Sequence, residues 1–327
     1  MGVLYIAGSR PGAGATATAM GIAGALRARG HRVVAIKPLS TRDGDADAAL
    51  LAGAAAVTSL TVVAEGASRE LLAAAETRVR AVAKDADVTV VEGLPLTVEG
   101  TAAFAERLQA TVIGVVPYAR ALGQADASVW RAAFGTRLAG VVINRRTLYG
   151  QHDASERLAS ELTAAGVPAL GIVPEDRLLL APTVGQIASR IGAAYFTAPQ
   201  ESERLVEHFM IGGLFLEWGG NYFGRYPNQA VIVRGGRADL QMSALNFPLA
   251  CLILTGVKQP PQYVSSRAEE QDVPLLVVGT PTLETAAVLQ DLPRSATIHH
   301  PAKAERASLL FGQYGKWAGL TAAAWLR

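Results

Sequence analysis

The chain has 327 residues, a length that fits two domains of ordinary size. Half of the residues are hydrophobic, 18% are charged and the formal net charge is +2, which excludes a disordered chain and gives no indication of nucleic-acid binding. The single cysteine excludes an internal disulfide and a metal site built from cysteines. The sequence has no run of about 20 strongly apolar residues and no basic region ahead of its N-terminal apolar segment. We therefore expect a cytoplasmic protein without a membrane span.

Over the first 200 residues, short apolar runs alternate with amphipathic, alanine-rich segments, which is typical of a parallel sheet flanked by helices. The apolar runs are nearly continuous, as expected for strands covered on both faces. The predicted strands are 3–7, 32–36, 87–91, 111–115, 138–143 and 169–172. The predicted helices are 14–29, 69–84, 101–109, 124–134, 153–165 and 183–191. The pattern predicts a doubly wound α/β domain.

A change of composition after Gly192 marks the end of this alternation, because the following segment is rich in aromatic residues and glycine. We place a domain boundary between residues 204 and 205, giving a first domain over 1–204 and a second over 205–327. The second domain repeats the alternation on a smaller scale and ends in a helix that contains 305–314. Its predicted strands are 230–233, 250–254 and 274–278, and its predicted helices are 239–246, 264–271 and 282–290.

The first strand runs into a glycine-rich loop and then into a helix. In this geometry, backbone N–H groups and a helix N-terminus hold phosphate groups. The loop reads GSRPGAGAT, and the residues we expect to contact a nucleotide there are Gly8, Ser9, Arg10, Gly12, Gly14, Ala15 and Thr16. The loop departs from the P-loop pattern, since alanine stands at the lysine position and serine at the position of the first glycine.

The missing lysine matters because that residue places a positive charge where charge develops during phosphoryl transfer. With Ala15 in its place, the loop should keep its backbone cradle and lose most of its capacity for catalysis. Arg10 offers a positive charge from within the loop. A solvated loop arginine remains the simpler interpretation of this residue.

A nicotinamide-binding turn is a competing interpretation, because Gly8, Gly12 and Gly14 fit the G-x-x-x-G-x-G spacing of short-chain dehydrogenases. The second strand, however, is followed by Lys37 and Pro38 rather than by an acid for the ribose hydroxyls. No tyrosine of the chain is followed four residues later by lysine, as those enzymes require. Both features favour the phosphate-binding interpretation.

Four further polar residues lie at or near the carboxyl ends of predicted strands, where sheets of this type bind ligands. They are Lys37, Asp47, Glu92 and Asn144. Asp47 and Glu92, with the hydroxyl of Thr16, are the oxygen ligands expected for a magnesium ion that is also bound by phosphate and water. Each residue also has a structural interpretation, such as a solvated strand end, a backbone cap or a turn.

The second domain has its own glycine-rich turn between a strand and a helix, in the run VIVRGGRADLQMSAL. Arg237 and Asp239 lie at the start of that helix, and we include both among the candidate ligand-binding residues. The alternative interpretation is that Asp239 is simply the N-cap of the helix.

Several motifs, in order and spacing, resemble dethiobiotin synthetase-like domains and the N-terminal region of long bacterial phosphate acetyltransferases. They are GSRPGAGAT, IKPLS, DADAAL, VVEGLPL and VVINRR. The runs RGGRADLQMSAL, CLILTG and PLLVVGTPTLET resemble the DRTGG domain that follows in those acetyltransferases. The resemblance implies a P-loop NTPase-like domain followed by a smaller α/β DRTGG-type domain. It also implies that Lys37 faces substrate, that Asp47 and Glu92 hold magnesium, and that Asn144 contacts adenine.

Two departures from these families bear on function. The synthetases carry the loop lysine that is replaced here by Ala15. The run RGGRADLQMSAL has Gly236 and Ala238 where DRTGG domains have aspartate and threonine. We therefore expect a non-catalytic regulatory or ligand-sensing protein that binds ATP or another nucleotide with Mg²⁺. The resemblance and the segment Phe209–Tyr226 also indicate a homo-oligomer, and the acetyltransferases point to a metabolic enzyme as partner.

Two alternatives remain open. The first is an ATP-dependent carboxylate-activating ligase of the dethiobiotin synthetase type, in which Arg10 or Lys37 replaces the missing lysine. The second is a structural interaction module in which both glycine-rich loops have lost their ligands.

Overall fold

The computed structural model describes residues 2–52, 60–62, 66–213 and 222–317. It divides into two compact units. The first consists of the residues up to Asp176 together with those from Ile298 onward, and the second of 177–297. The sequence predicted 177–204 as part of the first domain and the C-terminal helix as part of the second. In the structure, 177–204 belongs to the second unit and the C-terminal helix to the first.

The first unit is built on a six-stranded parallel sheet in the order β2-β5-β1-β6-β7-β8. A separate pair, β3 and β4, forms a short parallel ladder. The strands are β1 (Gly2–Gly8), β2 (Val33–Ile36), β3 (Leu39–Ser40), β4 (Leu60–Thr61), β5 (Val88–Glu92), β6 (Thr111–Pro117), β7 (Leu138–Arg146) and β8 (Ala169–Pro174). The helices are α1 (Ala15–Arg27), α2 (Ala46–Ala52), α3 (Arg69–Ala83), α4 (Thr101–Arg107), α5 (Gln124–Phe134) and α6 (Ala159–Ala164).

The doubly wound α/β fold predicted for this part of the chain is confirmed. Each of its six predicted strands appears in the sheet, because the apolar runs are buried on both faces between helices. The 153–165 helix begins as a π-helical turn, Asp153–Leu158, before α6. The short strands β3 and β4 were not predicted, since two residues are too few to show a period of two.

The second unit contains a five-stranded sheet in the order β10-β11-β12-β13-β9, parallel except for β9 at the edge. The smaller α/β domain predicted here is confirmed as a fold class. Its helices are α7 (Arg177–Leu180), α8 (Val184–Ile191), α9 (Ala238–Ala244), α10 (Gln262–Glu270) and α11 (Thr282–Gln290). Its strands are β9 (Ala194–Thr197), β10 (His208–Gly212), β11 (Gln229–Arg234), β12 (Leu249–Thr255) and β13 (Leu275–Val278).

The last described helix, α12 (Pro301–Tyr314), returns to the first unit and packs on α1. Two glycines of α1 make the close approach possible: a Cβ at Gly21 would collide with the Phe311 ring, and one at Gly24 with Ser308. Trp317 is fully buried and stacks on Phe311. The helix belongs to the first unit because this packing removes its apolar face from water.

Within the described part of the chain, no helix combines the length and the apolar character needed to cross a bilayer. The central part of the segment Phe209–Tyr226, on which the expectation of an oligomer partly rests, lies outside the described residues.

Candidate functional site

The glycine-rich loop joins β1 to α1 at the carboxyl edge of the first sheet. Gly12 and Gly14 have φ values of 76° and 96°, in the left-handed region that favours glycine. A Cβ at Gly14 would also collide with the side-chain amide of Asn144. The Ser9 N–H donates to the Val115 carbonyl at 2.8 Å, which attaches the loop to the end of β6. The conformation of the loop therefore depends on Gly12 and Gly14 and on the neighbouring strands.

Helix α1 begins at the end of this loop, with Gly14 as its N-cap. Glycine has no side chain with which to cap the helix, and the first turn of α1 contains no acidic residue. The first N–H groups of an α-helix have no partner within the helix and carry a partial positive charge. The strand, the loop and the helix follow one another as the sequence predicted, and phosphate binding at the start of α1 stays a prediction.

Ala15 and Thr16 are the first two residues of α1. The Thr16 hydroxyl lies 2.9 Å from Glu92 Oε1 and 3.2 Å from Asp47 Oδ2, so it can donate to either carboxylate. Ala15 brings no charge to the position where P-loop proteins have lysine.

The ammonium group of Lys37 lies among three carboxylates. Its Nζ is 2.7 Å from Glu92 Oε1, 3.0 Å from Asp45 Oδ2 and 3.2 Å from Asp47 Oδ2. Lys37 is only 8% exposed, which excludes the interpretation of a solvated strand end. We call Lys37, Asp45, Asp47 and Glu92 the acidic cluster.

The acidic cluster perturbs the titration of its members. Burial lowers the pKa of Lys37, but the charges of Glu92 and Asp47 and the hydrogen bond to Asp45 raise it by more, so that the ammonium stays charged. Burial raises the pKa of Asp45, whereas its hydrogen bonds with Ser40 and Lys37 lower it, to about 2. Burial raises the pKa of Glu92, and the nearby Lys37 opposes this increase.

Two further residues contact Asp47 from outside the acidic cluster. Arg42 Nη2 lies 2.9 Å from Asp47 Oδ2, and His299 Nε2 lies 2.7 Å from Asp47 Oδ1. His299 comes from the segment that leads into α12, 252 positions further along the chain. Asp47 is thus in contact with three basic side chains at once.

The oxygen atoms at this edge of the sheet fit a magnesium ion. Glu92 Oε2 is buried without a hydrogen-bond partner among the described residues, and the Thr16 hydroxyl and Asp47 carboxylate lie beside the same side chain. Over those residues, no three carboxylate, imidazole or thiolate groups could hold a metal by themselves. A magnesium ion here would therefore depend on one or two carboxylates, on Thr16 and on phosphate or water, as is usual for this cation.

Asn144 closes the other side of the loop. Its Nδ2 donates to the Ala13 carbonyl at 3.1 Å, and its Oδ1 accepts from the Arg145 N–H at 2.9 Å. It is 6% exposed. In this structure the Asn144 amide therefore holds the loop and the end of β7 together.

The first unit thus brings together, at one edge of its sheet, all the site residues predicted for it: the loop from Gly8 to Thr16, Lys37, Asp47, Glu92 and Asn144. Sequence reasoning missed Asp45, Arg42 and His299. Asp45 lies within the motif DADAAL, two residues before Asp47, and could have been predicted as a site residue together with it. No local signal indicates His299, because its role depends on the return of the chain to the first unit.

The two candidate residues of the second unit pair with each other. Arg237 Nη2 is 2.7 Å from Asp239 Oδ2, and both side chains are exposed. Helix α9 begins at Ala238 with Arg237 as its N-cap, so the interpretation of Asp239 as the N-cap is wrong. Arg237 and Asp239 form a surface ion pair at the start of a short helix.

Comparison with protein families supports both halves of the resemblance. The model of the AAA domain family matches residues 3–183, and that of the DRTGG domain matches 186–292. The phosphate acetyltransferase of Deinococcus radiodurans is 26% identical over 344 residues, covering 94% of this chain and 49% of that protein. The phosphate acetyltransferase of Acinetobacter baylyi is 27% identical over 350 residues, covering 90% of this chain and 48% of that protein. The chain therefore spans about half the length of the curated relatives it matches.

Solved structures give weaker similarity. One is the CBS and DRTGG regulatory region of a Clostridium perfringens pyrophosphatase in complex with its activator diadenosine tetraphosphate. It shows 13% identity and a TM-score of 0.32, covering 38% of this chain and 52% of that one. The MinC:MinD cell division complex of Aquifex aeolicus shows 16% identity and a TM-score of 0.39, covering 55% of this chain and 84% of that one.

Proposed function

The chain belongs to the AAA domain family, and from that premise we propose that it is a regulatory protein that binds a nucleotide without hydrolysing it. The observation that carries the proposal is Ala15, the first residue of α1, at the lysine position of the loop. The phosphate-binding loop is retained in its backbone, whereas the charged group that serves phosphoryl transfer is missing.

The arrangement around Lys37 supports the non-catalytic part of the proposal. An ammonium group that replaced the loop lysine would have to reach the phosphates. The Lys37 ammonium instead makes three ion pairs within 3.2 Å in a buried position. Removing a buried charge from its partners costs several kcal/mol. Lys37 is therefore poorly placed to replace the missing lysine.

The loop supports the nucleotide-binding part. The N–H groups at the start of α1 would donate to phosphate oxygens, and the positive φ of Gly12 and Gly14 keeps the backbone open toward them. Thr16, Asp47 and Glu92 would hold a magnesium ion, which neutralises phosphate charge when bound. Asn144 would hold the loop in its binding conformation through Ala13.

The similarity to phosphate acetyltransferases supports the regulatory part of the proposal. The match to phosphate acetyltransferases covers about half of each of them, and the DRTGG match begins three residues after the AAA match ends. We propose that this chain acts on a metabolic enzyme of that kind, as a homo-oligomer, with a nucleotide or another small molecule as effector. Arg237 and Asp239 are the candidate ligand contacts in the second unit. The cytoplasmic location stays a prediction.

Calorimetric titration of the full chain with ATP and with ADP, each with and without magnesium, tests the proposal. We expect saturable binding and no release of phosphate. Binding of neither nucleotide at millimolar concentration would remove the nucleotide-binding half. Steady ATP turnover that disappears in Glu92→Ala would overturn the non-catalytic half.

A variant that restores the positive charge of the loop lysine gives a second test. Ala15→Lys restores the positive charge at the start of α1, and we expect it to strengthen ATP binding and to introduce slow hydrolysis. Ala28→Lys, at the exposed C-cap of the same helix, adds the same charge away from the loop and is the matched control. If Ala15→Lys and Ala28→Lys bind and hydrolyse ATP equally, the missing loop lysine is not what prevents hydrolysis.

One observation favours the ligase alternative: the convergence of Thr16, Asp47 and Glu92, which is what a phosphoryl-transferring site requires to bind magnesium. A product assay with diaminononanoate, bicarbonate and ATP separates the two functions. Formation of a cyclised product by the unaltered protein would establish the ligase and exclude the regulatory proposal as stated.

A further inference from the structure

Arg145 lies directly beside the glycine-rich loop, one residue beyond Asn144 on β7. Its N–H donates to Asn144 Oδ1 at 2.9 Å, and Asn144 in turn donates to Ala13 of the loop at 3.1 Å. Arg145 has a φ of 55°, in the left-handed region that a non-glycine residue enters only at a cost. Strand β7 is irregular at this point, because its register against β8 shifts between Ile143 and Arg146.

The guanidinium group of Arg145 is half-buried and makes no hydrogen bond or ion pair with any of the described residues. Its neighbour Arg146, by contrast, donates to the Thr147 carbonyl at 3.2 Å. A partly buried charge without a close partner is costly, because water solvates it incompletely and no protein group replaces the lost hydrogen bonds.

Charges of both signs act on Arg145. Burial lowers the pKa of Arg145, the Glu175 carboxylate raises it, and the positive charge of Arg10 lowers it. Arg10 is exposed, and it lies within the loop between Gly8 and Gly12. The backbones of the two arginines are connected through the loop, because the Ala13 N–H donates to the Arg10 carbonyl at 3.2 Å and the Ala13 carbonyl accepts from Asn144, whose Oδ1 accepts from the Arg145 N–H.

We propose that Arg145 and Arg10 together bind the terminal phosphates of a nucleotide, in place of the lysine that the loop lacks. The inference rests on the proposed nucleotide binding and assigns its main source of positive charge. Arginine suits this role because its planar guanidinium group binds phosphate oxygens in a bidentate manner. Arg10 lies within the loop and Arg145 beside it, and neither extends from the start of α1, so they supply affinity without reproducing the position of the lysine.

The ligand class follows from the charge. Two arginines with a helix N-terminus fit a di- or triphosphate chain better than a nucleoside monophosphate, because additional phosphate groups bring charge that a single backbone loop does not neutralise. We therefore expect ATP to bind more tightly than AMP, and inorganic tripolyphosphate to compete with ATP.

Calorimetry on the full chain tests this inference with ATP and tripolyphosphate as probes. Arg145→Ala should weaken binding of both by about 10-fold or more, because a hydrogen bond to a charged group contributes about 1.5–3 kcal/mol and 1.4 kcal/mol corresponds to a factor of 10. Arg137→Ala removes the same charge just before the opposite end of β7 and should leave both affinities within about 2-fold of the wild type. Arg145→Lys should fall between these values, since lysine keeps the charge and loses the bidentate geometry.

Arg10→Ala tests the inference even if the Arg145 variants fail to fold, because Arg10 is exposed and its loss leaves the core unchanged. It should weaken ATP binding in the same direction, with an unchanged melting temperature. If wild type binds ATP while Arg145→Ala and Arg10→Ala bind it as tightly as Arg137→Ala, the inference is wrong and the proposed function stands. If wild type binds neither ATP nor tripolyphosphate, both the inference and the proposed function fail.

Discussion

Replacing Gly14 with alanine should destabilise the protein by about 2–5 kcal/mol, whereas the same replacement at Gly12 should cost about 1–2 kcal/mol. The two glycines lie in the same loop and both have positive φ, at 96° and 76°. Only Gly14 has a close neighbour, since a Cβ there would collide with the Asn144 amide. At Gly12 nothing lies within 4 Å of the added atom.

The magnitudes add as follows. A left-handed backbone costs about 1–2 kcal/mol for a residue with a Cβ, and this cost applies at both positions. At Gly14 the added methyl group displaces Asn144, which breaks the 3.1 Å hydrogen bond to the Ala13 carbonyl. A buried polar group left without its partner costs about a further 1–3 kcal/mol.

Thermal unfolding of the full chain by scanning calorimetry measures the difference between the two variants. For domains of 150–250 residues, about 1 kcal/mol corresponds to about 2–4 °C in melting temperature. The transition of the first unit should therefore shift clearly further in Gly14→Ala than in Gly12→Ala. Equal shifts would refute the argument that contact with Asn144, rather than backbone strain alone, requires glycine at position 14.

Three further predictions concern stability. Tyr5→Phe should cost about 1–3 kcal/mol in urea unfolding, because the buried Leu94 N–H loses the Tyr5 hydroxyl oxygen as its acceptor at 3.1 Å; an unchanged midpoint would contradict this. Thr183→Ala should cost about 1 kcal/mol in the unfolding of the second unit, because it removes the capping box of α8, while Thr183→Ser should be nearly neutral. Burial lowers the pKa of Lys303 to about 8, below the 10.5 of an ordinary lysine. Since the unfolded chain then binds more protons between these values, Lys303 should make the protein more stable as pH rises from 8 to 10.5. Lys303→Met should remove this part of the pH dependence, and the exposed Lys258→Met should retain it.

The fold was largely predictable because local patterns report it. The apolar runs and the glycine-rich turn before α1 lie within short windows of sequence, and the strands buried on both faces appear as continuous apolar stretches. Strands β9 and β10 were missed. The four residues of β9 include two exposed side chains, so no buried run marks the strand.

The candidate site was predictable in part, for a related reason. Lys37, Glu92 and Asn144 each follow or end a predicted strand, and parallel strands bring their carboxyl ends to one edge of the sheet. The pairing within that edge was not predictable. Nothing in the local sequence indicates that Lys37 contacts three carboxylates or that Asn144 hydrogen-bonds to Ala13.

The amino-acid sequence by itself determined the order of most strands and helices, the loop between β1 and α1, and the absence of its lysine at Ala15, because these depend on neighbouring residues or on residue identity alone. Only the tertiary structure decided that α12 packs on α1, that His299 reaches Asp47, and that the Lys37 ammonium is held in ion pairs. These contacts join residues far apart in the chain. Their energies come from burial and charge compensation in the folded state, which local patterns do not encode.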